Sequence, residues 1–284
     1  MIKKAILPVA GFGTRLLPAS KAIPKEMISI IDRPAIDYVV QEAIDAGIEH
    51  IILVTHSSKT SIEDYFDCHA ELEQHLLNKD KPELLQGLRV IPPHVTMSSV
   101  RQGRALGLGH AIYAARHCLA PNEGFAVLLP DVLIDAPYSN LKQMIDAYSV
   151  NQIAQIMVEP VDPQRVDQYG IVATDQALTP GQSAFIHSMI EKPAVDQAPS
   201  NLAVVGRYVL PHDILHILAN TPAGQGGEIQ LTDAIVQLDQ IQAYHLHGQS
   251  FDCGHPAGYF SATLHYAKQH PTLGHELCEL IKNA

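Results

Sequence analysis

Short unbroken apolar runs and amphipathic stretches alternate along this chain. "AILPVA" (Ala5 to Ala10) and "HIILVT" (His50 to Thr55) are compact and rich in β-branched residues, which reads as two buried strands. Between them, "PAIDYVVQEAIDAG" sets Ile36, Val39, Val40, Ala43 and Ile44 at helical spacing, with Pro34 near its start and Gly47 just past its end. A strand, helix and strand in this order predict a right-handed crossover and a parallel sheet. Further strands are expected at "FAVLLP" (Phe125 to Pro130), "AQIMVEP" (Ala154 to Pro160), "YGIVAT" (Tyr169 to Thr174), "AVVGRYVL" (Ala203 to Leu210) and "QAYHLHG" (Gln242 to Gly248). Helical patterns lie around 109–118, 139–149, 211–219, 228–240 and 256–269.

The expected fold class is α/β: a doubly wound, mainly parallel, Rossmann-like sheet with helices on both faces and additional antiparallel strands in the second half. No repeat or linker divides the chain, so residues 1–284 read as one domain. The polar stretch 66–93, helical in its middle and closed by Pro92 and Pro93, looks like an insertion, and 250–284 reads as a C-terminal helical segment. In such folds ligands bind at the carboxyl ends of the strands.

Charge changes the picture at one place. With Lys+Arg 19 and Asp+Glu 30 the formal net charge is −11, which disfavours nucleic acid and anionic membrane surfaces as partners. A site for a phosphorylated ligand must then be built locally. Four widely spaced cysteines, Cys68, Cys118, Cys253 and Cys278, fit a reduced, cytoplasmic setting, and neither a signal region nor a membrane span is apparent. Of sixteen His residues, only His212/His216 and His245/His247 lie close enough to suggest a metal. With no third ligand spaced to join them, surface or packing roles are expected.

The local cation source is "AGFGTRLLPASKAIPKEM", where Arg15, Lys21 and Lys25 alternate with Pro18 and Pro24. Four readings compete. A dinucleotide fingerprint needs a third glycine where Leu16 stands, and the P-loop string is absent. The remaining pair is a plain βα turn with solvated cations, or a preordered phosphate loop. In the second, Gly11 and Gly13 admit backbone N–H groups, Arg15 offers a bidentate fork and the prolines restrict where Lys25 lies.

The whole string resembles the signature of the sugar-nucleotide pyrophosphorylases, Gly-x-Gly-Thr-Arg-Leu-x-Pro-x-Ser/Thr-Lys-x-x-Pro-Lys-Glu-Met. "RQGRALGLGHAI", "LLPDVLID", "IEKP", "SNLAVVGRYVL", "GGEIQLTDAI" and "FDCGHPAGY" follow in family order and are similar to its bacterial UTP–glucose-1-phosphate uridylyltransferase branch. "KAIPKEM", "GEIQLTDAI" and the 66–93 insertion point away from the shorter thymidylyltransferases. Phe12 stands where the family often carries Leu. Thr14 and Arg15, lost in a non-catalytic group of paralogues, are present.

The resemblance implies that UTP and glucose 1-phosphate are converted to UDP-glucose and pyrophosphate with Mg²⁺, by a homodimer or homotetramer. It implies that Arg15, Lys25, Asp131 and Lys192 are catalytic, and that Ala10, Gly11, Gly13, Thr14, Gln102 and Gly107 line the nucleotide. Gln102 and Gly107 would read the uracil. Gly170, Glu191 and Lys192 would take the sugar phosphate, and Asp131 and Asp252 the metal. Lys21 is left between a phosphate ligand and a solvated side chain, Glu228 and Asp233 between structure and site, and Asp135 is expected in a turn. The alternatives are dTTP or another hexose 1-phosphate, and a catalytically silent regulatory paralogue.

Overall fold

The computed structural model describes residues 2–88 and 90–283; Met1, Arg89 and Ala284, which fall within the expected domain, insertion and C-terminal segment, lie outside them. The first third contains β1 Lys4–Pro8, β2 Ser29–Ile30, β3 Arg33–Pro34, α1 Ala35–Asp45, β4 His50–Thr55, α2 Thr60–Phe66, α3 Ala70–Asn78, α4 Leu85–Leu88 and β5 Thr96–Arg101. Then come α5 Leu108–Ala114, β6 Phe125–Leu128, β7 Val132–Asp135, α6 Asn140–Asn151, β8 Ala154–Pro160, β9 Gly170–Thr174, β10 Ser183–Glu191 and β11 Leu202–Leu210. The chain closes with α7 Ile214–Asn220, α8 Leu231–Ile235, β12 Ile241–His245, β13 Gln249–Asp252, α9 Pro256–Gln269 and α10 Gly274–Asn283.

Nine strands form one sheet in the order β5-β4-β1-β6-β11-β8-β12-β10-β9. Alternate residues point to opposite faces. Ala5, Leu7, Ile51, Leu53, Ala126 and Leu128 pack with α1 and α6 on one side; Ile6, Ile52, Val54, Phe125 and Val127 pack with α5, α7 and α8 on the other. Two-sided burial is why "HIILVT" and "AQIMVEP" read as unbroken apolar runs, and both strands have the expected limits.

The sheet is mixed rather than mainly parallel. β5, β4, β1 and β6 are parallel neighbours, as are β8 and β12. β11 runs antiparallel between β6 and β8, and β10 is antiparallel to both β12 and β9. A crossover helix is what parallel pairing needs. Residues 175–182, which join β9 to β10, hold none, so the two pair as antiparallel neighbours. Edge strand β5 (TMSSVR) has no buried residue and gives no apolar signal, so the pattern does not reveal it.

Other limits move for local reasons. The stretch 228–240 keeps only α8 as α-helix. Gly226 and Gly227 adopt positive φ of 72° and 75°, and Glu228 and Gln230 are extended. The backbone of Ile229 bonds to the 106–109 segment instead of to a helix: its N–H donates to the Leu106 carbonyl, and its carbonyl accepts from Gly109 N–H. Within 66–93, α3 is largely exposed. The C-terminal segment is helical only from Pro256, because 250–252 belong to β13. No helix among the described residues is long and apolar enough to cross a membrane.

Asp135 is not a turn residue. It ends β7 and accepts hydrogen bonds from His265 Nε2 (2.7 Å) and Gln269 Nε2 (3.1 Å), tying α9 to the β7–β13 ribbon. Burial opposes its ionisation, but these bonds outweigh it and hold the carboxyl below its usual value of 3.8. A depressed folded pKa stabilises above the unfolded pKa, and the contribution is lost as pH falls through the folded value. Asp135→Asn is therefore expected to lower Tm at pH 7 and to converge with the parent chain below about pH 3.8, the ordinary carboxyl value. A Tm deficit of the same size at both pH values would rule out the charge as its source.

Candidate active site

β5, β4, β1 and β6 run in the same direction, so the segments leaving their carboxyl ends share one edge of the sheet. From β1 comes the cationic loop. It folds back on itself through three single-turn 3₁₀ helices, Thr14–Leu16, Ala19–Lys21 and Lys25–Met27, with a cis Leu17–Pro18 peptide. Gly13 sits at φ 67°, and a Cβ there would lie 3.2 Å from the Lys25 Cβ and 3.3 Å from the Ser20 Cβ. The glycine thus lets the loop close over Lys25, and Ser20 Oγ donates to its carbonyl at 2.7 Å. Ala10 is buried; Gly11, Thr14, Arg15 and Lys21 are exposed.

Asp131 follows β6 at the same edge, and Lys25 Nζ makes a close ion pair with its Oδ2. Burial disfavours both charges. For Lys25 the fields of Asp131 and Glu26 outweigh burial and raise its pKa; for Asp131 the Lys25 ammonium does the same and lowers the carboxyl. Both groups are charged at neutral pH.

Asp252 arrives from the far end of the sequence. β13 pairs antiparallel with β7, with Asp252 opposite Val132, and Cys253 N–H donates to the Asp131 carbonyl at 2.7 Å. A Cβ built on Gly254 would lie 2.7 Å from Asp131 Oδ2 and 2.9 Å from Asp252 Oδ1. Both carboxylates therefore converge on the space a side chain at 254 would fill. Arg15 Nη1 stands 3.9 Å from Asp252 Oδ2.

Two carboxylates beside a cationic loop suit a hard divalent cation that keeps several waters and shares phosphate oxygens. Among the described residues no group of three or more His, Cys, Asp or Glu side chains is gathered for a metal, so Asp131 and Asp252 are the protein donors at hand. A cleft of about 780 Å³ opens beside them, with Arg15, Glu159, Tyr169 and His255 also on its walls.

Gln102 lies just past β5, its N–H bonded to the Thr55 carbonyl. It is nearly buried, and its Nε2 lies 3.1 Å from the Gly107 carbonyl and 3.0 Å from His110 Nδ1. Among the described residues these bonds engage its Nε2 and not its Oε1. Gly107 sits at φ 95°, and a Cβ there would lie 2.8 Å from the Glu228 Cβ and 2.9 Å from the Ile229 carbonyl oxygen. Its missing side chain admits the 228–229 segment.

Glu191 and Gly170 pair across β10 and β9. Thr232 Oγ1 on α8 donates to Glu191 Oε2 at 2.7 Å, and a Cβ on Gly170 would lie 3.1 Å from the same oxygen. Lys192 is held at φ 46°, its N–H on the Tyr169 carbonyl and its Nζ 3.6 Å from Glu191 Oε1. Among the described residues no hydrogen bond or ion pair links this group, or Gln102, to the Lys25–Asp131 pair. Glu228 and Asp233 are exposed.

Several supporting residues escape the sequence reading. Arg207, fully buried, donates to the Leu129 carbonyl (3.1 Å) and the Val132 carbonyl (2.7 Å), while Glu42 on α1 accepts from its Nε and Nη2. It thereby pins the turn that carries Asp131. A cation inside the apolar run "AVVGRYVL" is the signal for it. Thr232 and the buried pair Glu26–Lys59 carried no such mark.

A family model described as nucleotidyl transferase matches residues 4–269. The UTP--glucose-1-phosphate uridylyltransferase of Escherichia coli (strain K12) is 51% identical over 285 residues, covering 97% of this chain and 93% of that protein. The solved structure of a UTP-bound UGPase from Acinetobacter baumannii superposes with a TM-score of 0.93 at 55% identity, covering 99% of each chain. A UDP-glucose pyrophosphorylase complexed with UDP-glucose superposes at 0.82 with 41% identity, over 95% of this chain and 100% of that one. From its cationic loop to the β7–β13 ribbon, this chain belongs to the nucleotidyl transferase family.

Proposed function

We propose that this chain transfers the uridylyl group of UTP to α-D-glucose 1-phosphate, giving UDP-glucose and pyrophosphate. The observation that carries the reading is the pairing of Lys25 with Asp131, next to Asp252 and Arg15, on a loop ending a parallel strand. Full-length similarity to proteins named for this activity supports it. A phosphate oxygen of glucose 1-phosphate attacks the α-phosphorus of UTP; the new O–P bond forms as the bond to the β-phosphate oxygen breaks, and pyrophosphate leaves. The attacking oxygen is already anionic near neutral pH, so no general base is needed. The barrier is repulsion between two polyanions, which positioning and charge neutralisation lower.

In this reading, Arg15 and Lys25 bind the triphosphate and the transition state, with backbone N–H groups near Gly11, Gly13 and Thr14 beside them. Ala10 and Gln102 line the nucleoside. Gly107, which also seats the 228–229 segment, lines the nucleoside with them. Gly170 and Glu191 take the glucose hydroxyls, and Lys192 takes the sugar phosphate. Asp131 and Asp252 would hold Mg²⁺, which supplies the positive charge that three side-chain cations lack against a triphosphate and a monophosphate. We further infer that residues 1–284 act as one domain in a cytoplasmic homo-oligomer. Four unpaired thiols support the reducing compartment.

Gln102→Ala is expected to lower kcat/KM for UTP by about two- to tenfold, the range of one hydrogen bond to a neutral group. Unchanged kcat/KM, with unchanged discrimination against CTP, would remove Gln102 from the base pocket. The reading as a whole is tested with a panel of UTP and dTTP against glucose 1-phosphate and other hexose 1-phosphates. UDP-glucose is expected as the dominant product; preferred use of dTTP or another sugar would overturn the assignment.

A further inference from the structure

Lys25 lies between two carboxylates. Asp131 is its ion-pair partner, and Glu26 is its neighbour in the same single-turn helix Lys25–Met27. Glu26 is fully buried, and its field reaches Lys25. An unpaired buried carboxylate there would compete with Asp131 for the ammonium.

A second buried cation removes that competition. Lys59 follows β4 at the entrance of α2 and is only 6% exposed, which is rare for lysine. Its Nζ donates to both Glu26 oxygens, at 2.7 and 3.0 Å. Along the chain of contacts the charges alternate in sign: Lys59, Glu26, Lys25, Asp131.

We propose that Lys59 is a positioning residue for uridylyl transfer: by occupying both oxygens of Glu26 it leaves the Lys25 ammonium to Asp131 and to the phosphates of the substrate. This rests on reading Lys25 as a phosphate ligand. Lys59 touches no reacting atom. Its effect is exerted by withholding Glu26 from Lys25, so what matters is the balance between the two charges rather than the ion pair itself.

That distinction gives an asymmetric test in the full chain. In Lys59→Met, Glu26 is left as an unpaired buried carboxylate beside Lys25, and kcat is expected to fall roughly tenfold or more, as the population with Lys25 on Asp131 drops. In Glu26→Gln the competitor is gone, and kcat stays within about threefold of the parent chain. The double variant Glu26→Gln/Lys59→Met recovers kcat to about that same level. A purely structural ion pair predicts the opposite order: comparable losses in both single variants, and no recovery in the double.

Either of those results overturns the proposal. Should Lys59→Met not fold, the double variant decides, since activity within about threefold supports the proposal and a tenfold loss overturns it. Crystal structures of the ligand-free variants separate this inference from the assigned reaction. In Lys59→Met, Lys25 Nζ is expected on the Glu26 carboxylate; if it remains on Asp131, the proposal fails whatever substrate the chain uses. If the parent chain releases no pyrophosphate from UTP and glucose 1-phosphate while Lys25 does move to Glu26, the reaction assignment fails and the pairing stands.

Discussion

Replacing Lys25 by Ala lowers kcat by about 10²–10³ while the chain stays folded, the cost of removing one preorganised charge at a developing transition state. Lys25 is fixed more firmly than a surface ammonium. Gly13 folds against its Cβ, and Asp131 aims its Nζ at the edge where β1 and β6 end. Arg15 is no substitute, because it is exposed and only loosely placed near Asp252. The measurement is kcat for pyrophosphate release with both substrates saturating, alongside a thermal melt. Near-parental kcat in a folded Lys25→Ala variant would make Lys25 a solvated residue and remove the phosphate loop from the account.

Asp131→Asn is expected to be at least as damaging, with activity falling by about two orders of magnitude or more. Asn keeps the size and the turn-forming tendency of the side chain but loses the charge that answers Lys25 and, with Asp252, suits a divalent ion. Stability carries a separate signature. Burial works against the carboxylate, yet the Lys25 ammonium holds its pKa below 3.8. The charge therefore stabilises the fold above the unfolded pKa, and that contribution disappears as pH falls through the depressed folded value. The variant melts lower than the parent chain at pH 7, and the gap closes below about pH 3.8. If Asp131→Asn retains full activity at limiting Mg²⁺, or if the parent chain is fully active in excess EDTA, the two carboxylates do not form a metal site.

What the sequence conveyed depends on where each signal resides. His50–Thr55 and Ala154–Pro160 could be delimited to the residue because strands buried on both faces are apolar throughout. Thr96–Arg101 lies at the sheet edge, where polar residues suffice, and its pairing with β4 is written in no periodicity. The helix expected over 228–240 was shortened by a tertiary contact: Gly107 and Gly109 accept the extended 228–230 segment, a relation between positions about 120 residues apart.

The candidate site divides the same way. Arg15, Lys25, Asp131 and Asp252 stand in recognisable strings, each beside a turn or at the end of an apolar run. That Asp252 joins Asp131 follows from β13 pairing with β7, which no local pattern announces. Glu26 and Lys59 look like ordinary surface residues in sequence; only their burial against each other gives them a role. Arg207 was visible as an anomaly in an apolar strand, but its two bonds around Asp131 required the fold.

On the proposed function, the cationic loop and the two carboxylates serve uridylyl transfer from UTP to glucose 1-phosphate. The most direct test is pyrophosphate release by the purified chain with UTP, with and without glucose 1-phosphate, in the presence of Mg²⁺. Pyrophosphate is expected in one-to-one ratio with UDP-glucose, strictly dependent on both substrates. No pyrophosphate above the UTP-only background from a folded chain, or pyrophosphate released without the sugar phosphate, would contradict it.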